Sequence, residues 1–169
     1  MISRRWTMGV AIGVGFLGLS GCGGSKHPTP STVDAAFKAK VAPLCAAANT
    51  ALKAQGPFPY PSFDPNTPVA ADLPGIAAYE AKTVLNEKSW QSQLRALGKP
   101  SPGGVRWKKF LTTVDHTVKE TVAQQQAAQA GDGTAFTKTY KTLSSEQTAD
   151  GRAAKRIGLP SCNPGKLGS

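Results

Sequence analysis

Histidine is almost missing from this chain, with two in 169 residues, and cysteine is held to three. Two histidines leave little scope for a Ser or Cys triad, no GxSxG elbow occurs, and three cysteines without CxxC spacing make no zinc cage. Acids are scarce too: 10 Asp+Glu stand against 20 Lys+Arg, for a formal net charge of +10. At 18% the charged fraction is still too low for a disordered polyelectrolyte. No phosphate-binding or dinucleotide loop is present, because Gly13-Val14-Gly15 falls inside an apolar run near the start, and no cofactor is expected. What the chain does have is 18 Gly and 13 Pro punctuating a sequence that is 40% apolar. That supports one modest core, and neither a multidomain enzyme nor a polytopic membrane protein.

Arg4 and Arg5 precede an uncharged stretch whose apolar heart runs from Met8 to Leu19. As a helix that heart would rise roughly 18 Å, short of a hydrocarbon core of about 30 Å. A basic start, a short apolar run and a small-residue boundary are the parts of a secretory signal. The boundary itself, Leu19-Ser20-Gly21-Cys22, resembles the lipobox of bacterial prolipoproteins at all four positions. The resemblance implies that the Cys22 thiol takes a diacylglyceryl group. Cleavage then falls just before Cys22, and acyl chains hold the new terminus in the membrane. Two or more chains anchor stably where one does not. Ser3-Arg4-Arg5-Trp6 is also similar to the start of twin-arginine export signals, with Thr7 where that pattern has an apolar residue; that route exports proteins already folded.

Residues 1–21 therefore read as a signal, 22–31 as lipidated Cys22 and a polar tether holding His27, 32–160 as a helical domain and 161–169 as a disulfide-bearing tail. Export to an oxidising compartment leaves Cys45 and Cys162 as an even pair, and a disulfide between them is the expectation. A metal pair lacks partnering histidines, and neither cysteine stands in the basic helix-start setting of a reactive thiol.

Ser31 and Asp34 offer a variant capping box to a first helix carrying Val33, Phe37, Val41, Leu44, Ala48 and Leu52 on one face, with a kink expected at Pro43. Five prolines between Gly56 and Ala71 forbid helix interior and central strand alike. Phe58, Tyr60 and Phe63 lie among them, either folded over one end of the core or displayed as a partner-binding surface. Asp72-Leu73-Pro74 opens a second helix with Ile76, Tyr79, Val84, Trp90, Leu94 and Leu97, stopped at Gly98. A third carries Trp107, Phe110, Leu111, Val114, Val118 and Val122 and decays into the Gln124–Gln126 run. The fourth has Phe136, Tyr140, Leu143, Gln147, Asp150, Ala154 and Ile157, apolar at both ends and weak in the middle, before Gly158-Leu159-Pro160 stops it. The reading is all-α: a four-helix, up-and-down bundle with a kinked first helix and one long Pro-rich loop. The same layout resembles small Ala-rich secreted lipoproteins of actinomycetes, a likeness that implies a helical bundle with a terminal disulfide and no particular substrate.

His116 and Glu120, four apart, could share a helix face, but the stripe of Val114 and Val118 puts His116 on the opposite side, as a surface residue. Asp72 and Glu80 read as solvated acids at a helix start and on a helix face. A basic domain usually suggests nucleic acid, which export excludes. The expectation is a non-catalytic binding or accessory module outside the cytoplasm, anchored to the cell membrane by lipid. Its expected partners are the membrane itself, anionic lipid or wall polymer under its lysines and arginines, or a protein. A structural envelope protein and a lipid or small-molecule carrier are the alternatives.

Overall fold

The computed structural model describes residues 33–163; the signal, Cys22, the tether with His27 and residues 164–169 lie outside the described residues. Four helices make up the body, α1 (Ala35–Ala54), α2 (Leu73–Ala96), α3 (Gly104–Gln129) and α4 (Gly133–Arg156), with no strand among the described residues. Each begins and ends for a local reason. Asp34 caps α1, its carboxylate accepting from the Phe37 N–H at 2.8 Å, while Ser31 lies outside the described residues. Asp132 caps α4 in the same way through the Ala135 N–H. Asp72 precedes α2 without a side-chain cap, and Pro74 supplies the preset first turn. The expected stop at Gly158 is a Schellman turn: the Leu159 N–H donates to the Ala154 carbonyl, the Gly158 N–H to that of Lys155, and Leu159 packs back into the core. Replacing Asp34 with alanine is expected to cost about 1 kcal/mol, seen as a melting temperature a few degrees lower; an unchanged transition would place the effective cap elsewhere.

Pro43 lies inside α1 with its ring on the exposed side, where the carbonyl it leaves without a donor faces water. The decay expected at Gln124–Gln126 is corrected: α3 continues to Gln129, because glutamine is a good helix former and Gln124, Ala127 and Ala128 are buried.

Helices α2 and α4 both pack on α3, and links of seven and three residues (97–103 and 130–132) turn the chain back each time. The trough above α3 is filled in two halves. Over the first lies α1, and there Phe37, Val41 and Cys45 join Trp90, Trp107, Phe110, Val114 and Ile157 in the larger core cluster. Trp107 anchors it, edge-on to Phe37 at 4.9 Å with its indole N–H donating to the Gly98 carbonyl. The disulfide forms as expected: Cys45 on α1 and Cys162 just beyond α4 are bridged and fully buried, with Cys162 a part of this core. Asn49 adds a bond to the Ser161 carbonyl beside it.

Over the second half lies the proline-rich loop. Phe58, Tyr60 and Phe63 pack against Leu73, Ile76, Ala127, Ala128 and Phe136 in a smaller, separate cluster. Phe58 meets Tyr79 edge-on at 5.4 Å and Phe63 meets Phe136 at 5.5 Å. The loop thus does at one end of the bundle what α1 does at the other. Gly75 makes this possible, since a Cβ there would overlap the Tyr60 ring. Gly151, a costly residue for the middle of a helix, has a similar reason: the Asn163 side chain packs where its Cβ would stand.

Candidate functional site

Between the two apolar clusters the bundle has a polar waist. On α2 the inward face runs Ile76, Glu80, Val84, Glu87, Trp90, Leu94, steps of three and four that put two carboxylates on the core stripe, Glu87 buried and Glu80 half-buried. On α3 the corresponding positions are Thr117, Thr121 and Gln124, all buried, and on α4 they are Gln147 and the buried Asp150. The weak middle of the α4 stripe is the outer sign of this layer.

Where α1 ends and the loop begins, the trough is left open over the waist. The resulting cavity has a volume of about 220 Å³, with Glu80 and Glu87 of α2 on one wall, Tyr140, Ser144 and Gln147 of α4 on the other, Thr121 and Gln124 of α3 beneath, and Leu52 at the end of α1. Gln55 closes the α1 side by donating to the Tyr79 carbonyl and the Thr83 hydroxyl. A second cavity of about 370 Å³ lies beside it under the loop, walled by Phe58, Tyr60, Phe63 and Phe136. Glu80, Gln124 and Tyr140 belong to both, so the two are neighbouring chambers with a shared wall.

The electrostatics of the inner chamber are unusual for a basic chain. Glu87 is 4% exposed and Gln124 3%, and one carboxyl oxygen of Glu87 and the amide oxygen of Gln124 have no hydrogen-bond partner. Burial pushes both glutamates up to about 7; the charge of Glu87 adds to the rise at Glu80, while the Thr121 hydroxyl pulls Glu87 slightly back. Burial and Glu80 also raise the Tyr79 phenol. Beneath them Asp150 is pushed up to about 6 by burial against the opposing Thr113 and Thr117 hydroxyls, and Thr117 donates to its carboxylate. No lysine or arginine among the described residues lines either chamber.

Glu80 therefore corrects its reading as a solvated acid, and Glu87 is a residue that sequence reasoning misses. The signal for it is its place three residues after Val84 and three before Trp90 on an otherwise apolar stripe. Phe58, Tyr60 and Phe63 are half-buried and come together as a chamber wall, not as a free surface patch. His116 is exposed and lies 3.8 Å from Glu146, with the neighbouring Asp115 turned toward Gln91 and Arg95. Among the described residues no group of three or more metal-ligating side chains converges, and no helix is long and apolar enough to cross a membrane. No family model, curated protein or solved structure matches this chain.

Proposed function

We propose that this protein is a lipid-anchored domain on the outer side of the cell membrane, acting there as a non-catalytic binding or accessory module with one end of its bundle toward the lipid. The observation that supports it is the charge of the end from which the tether leaves. Val33, the first of the described residues, packs against Gly103, so the chain enters at the end formed by the starts of α1 and α3 and the finishes of α2 and α4. Among the described residues, Lys38, Lys99, Arg106, Lys109, Lys155 and Arg156 lie toward that end with Asp34 as the acid beside them, whereas at the opposite end Asp64, Asp72 and Asp132 offset Lys53, Lys138 and Lys141. Such an end is drawn to anionic head groups, each nearby cation adding up to about 1 kcal/mol within a Debye length.

Cell fractionation tests the anchor. The wild-type protein is expected in the membrane pellet and the Cys22→Ser variant in the soluble fraction; a processed Cys22→Ser form that still sediments with membranes ends this reading.

One feature favours the alternative of a structural module lying on anionic surfaces: a depression of about 410 Å³ between Arg106, Lys109 and Arg156, floored by Ala153 and Ile157. Salt-sensitive retention of the unlipidated variant on phosphatidylglycerol vesicles, lost when those three cations become glutamine, would support it over a ligand-binding role.

A further inference from the structure

The two chambers at the waist are chemically complementary. The inner one presents carboxylates with no cation on its walls, in a protein of net charge +10, and the outer one presents aromatic faces. A buried carboxyl oxygen and a buried amide oxygen without donors are costly to leave unmade, and the residues that carry them, Glu87 and Gln124, both line the inner chamber. Both are acceptors only when Glu87 is ionised, so the missing group is a donor, and a cationic one matches the charge.

We propose that the paired chambers are a single binding site for a small organic cation, a primary amine or ammonium bearing an apolar group, whose head lies between Glu80, Glu87 and Gln124 and whose apolar part lies against Phe58, Tyr60 and Phe63. Ammonium groups are recognised by this combination of carboxylate and aromatic faces. Tyr140, 40% exposed and common to both chambers, stands at the rim, where it can reach the ligand from α4. This deepens the binding-module reading by naming a ligand class, and it is independent of the lipid anchor.

Without a ligand the glutamates hold protons until about neutral pH; an entering ammonium takes the place of a proton, which leaves to solvent. The groups that titrate around the site are Glu80 and Glu87 on α2 and Asp150 on α4, the last flanked by Glu146 and by His116 of α3; the Tyr79 phenol, raised by burial, stays neutral through this range. Binding should therefore strengthen by about tenfold or more between pH 5.5 and pH 8.

The test is titration of the full-length lipidated protein in detergent with benzylamine, a cation at both pH values, against neutral benzyl alcohol and anionic benzoate, read by calorimetry and by the carboxyl carbon resonances of the glutamates. Benzylamine is expected to bind at pH 8 and to shift Glu80 and Glu87. Benzyl alcohol and benzoate should bind at least about tenfold more weakly. Glu87→Gln, which keeps the side chain's shape, should weaken benzylamine by about tenfold or more, and so should Glu80→Gln. Gly75→Ala, which displaces Tyr60, should weaken benzylamine but not methylamine. The proposal is overturned if benzoate binds as well as benzylamine, if calcium or magnesium occupies the site and neither amine does, if no amine binds at millimolar concentration, or if both glutamine variants bind as the wild type does. None of these results bears on the fractionation of the Cys22→Ser variant, so the site and the anchor fail separately.

Discussion

Replacing Cys45 and Cys162 together with alanine is expected to lower the unfolding free energy by roughly 4 kcal/mol and the melting temperature by about 10 °C or more. The two are 117 residues apart in sequence, so the bridge closes nearly the whole described domain into one loop. In the chain-entropy account a loop of that length restricts the unfolded ensemble by close to 5 kcal/mol, and losing the bond in small exported domains costs about 2–5 kcal/mol. Against a total of about 5–15 kcal/mol for an ordinary domain, that is a large share. The bond also has a specific mechanical task. Helix α1 packs mainly on α2, and the bridge with the neighbouring Asn49–Ser161 bond ties it to the exit of α4. Urea unfolding of the oxidised and reduced wild type alongside the double variant measures the effect; coincident curves would mean that α1 is held by packing alone.

The second large effect is on the pH dependence of stability, and its direction is opposite to that of most salt-bridged proteins. The folded-state pKa values of Glu80 and Glu87 are raised from 4.5 to about 7. Between those values the folded protein binds more protons than the unfolded chain, so stability falls as pH rises through that window. Each tenfold difference in proton affinity between the folded and unfolded states corresponds to about 1.4 kcal/mol, which puts the loss for Glu87 near 3 kcal/mol between pH 4.5 and pH 7. Part of the rise at Glu80 comes from the charge of Glu87, so the two losses overlap and do not simply add. The protein should thus be more stable at pH 5 than at pH 8. Glu87→Gln removes the ionisation while keeping the shape, and is expected to gain about 2–3 kcal/mol at pH 8 with little change at pH 5. Denaturant titrations of both proteins at the two pH values decide it; a wild type most stable at pH 8, or a profile that the variant leaves unaltered, would show that the waist carboxyls are solvated in solution.

The second prediction depends on how the waist is built, and its legibility in the sequence is uneven. The α4 stripe announces a polar centre through Gln147 and Asp150, at helical spacing from Leu143 and Ala154. On α2 the same information is present but masked by a sound general rule: an acid on a helix is usually solvated. Glu87 sits midway between Val84 and Trp90, and only the neighbours across the trough turn that position inward. The glutamines of α3 mislead in the other direction. A polar run signals decay when nothing lies opposite, yet Gln124 faces the space between α2 and α4. The loop aromatics are visible as a group, and their destination depends on Gly75, whose missing side chain makes room for Tyr60 in the helix that follows the loop.

Short-range physics settled the number of helices, most of their ends, and the partnership of Cys45 and Cys162. Caps, glycine stops, three-and-four spacing and an even cysteine pair act within a few residues or by simple elimination, and can be read in a linear string. The cavity belongs to the tertiary structure alone. It exists because α1 ends at Ala54 and the loop aromatics settle farther along the trough, leaving a gap over residues from three other helices. Whether a carboxyl is desolvated depends on what fills the few ångströms around it, and no window along one helix contains that information.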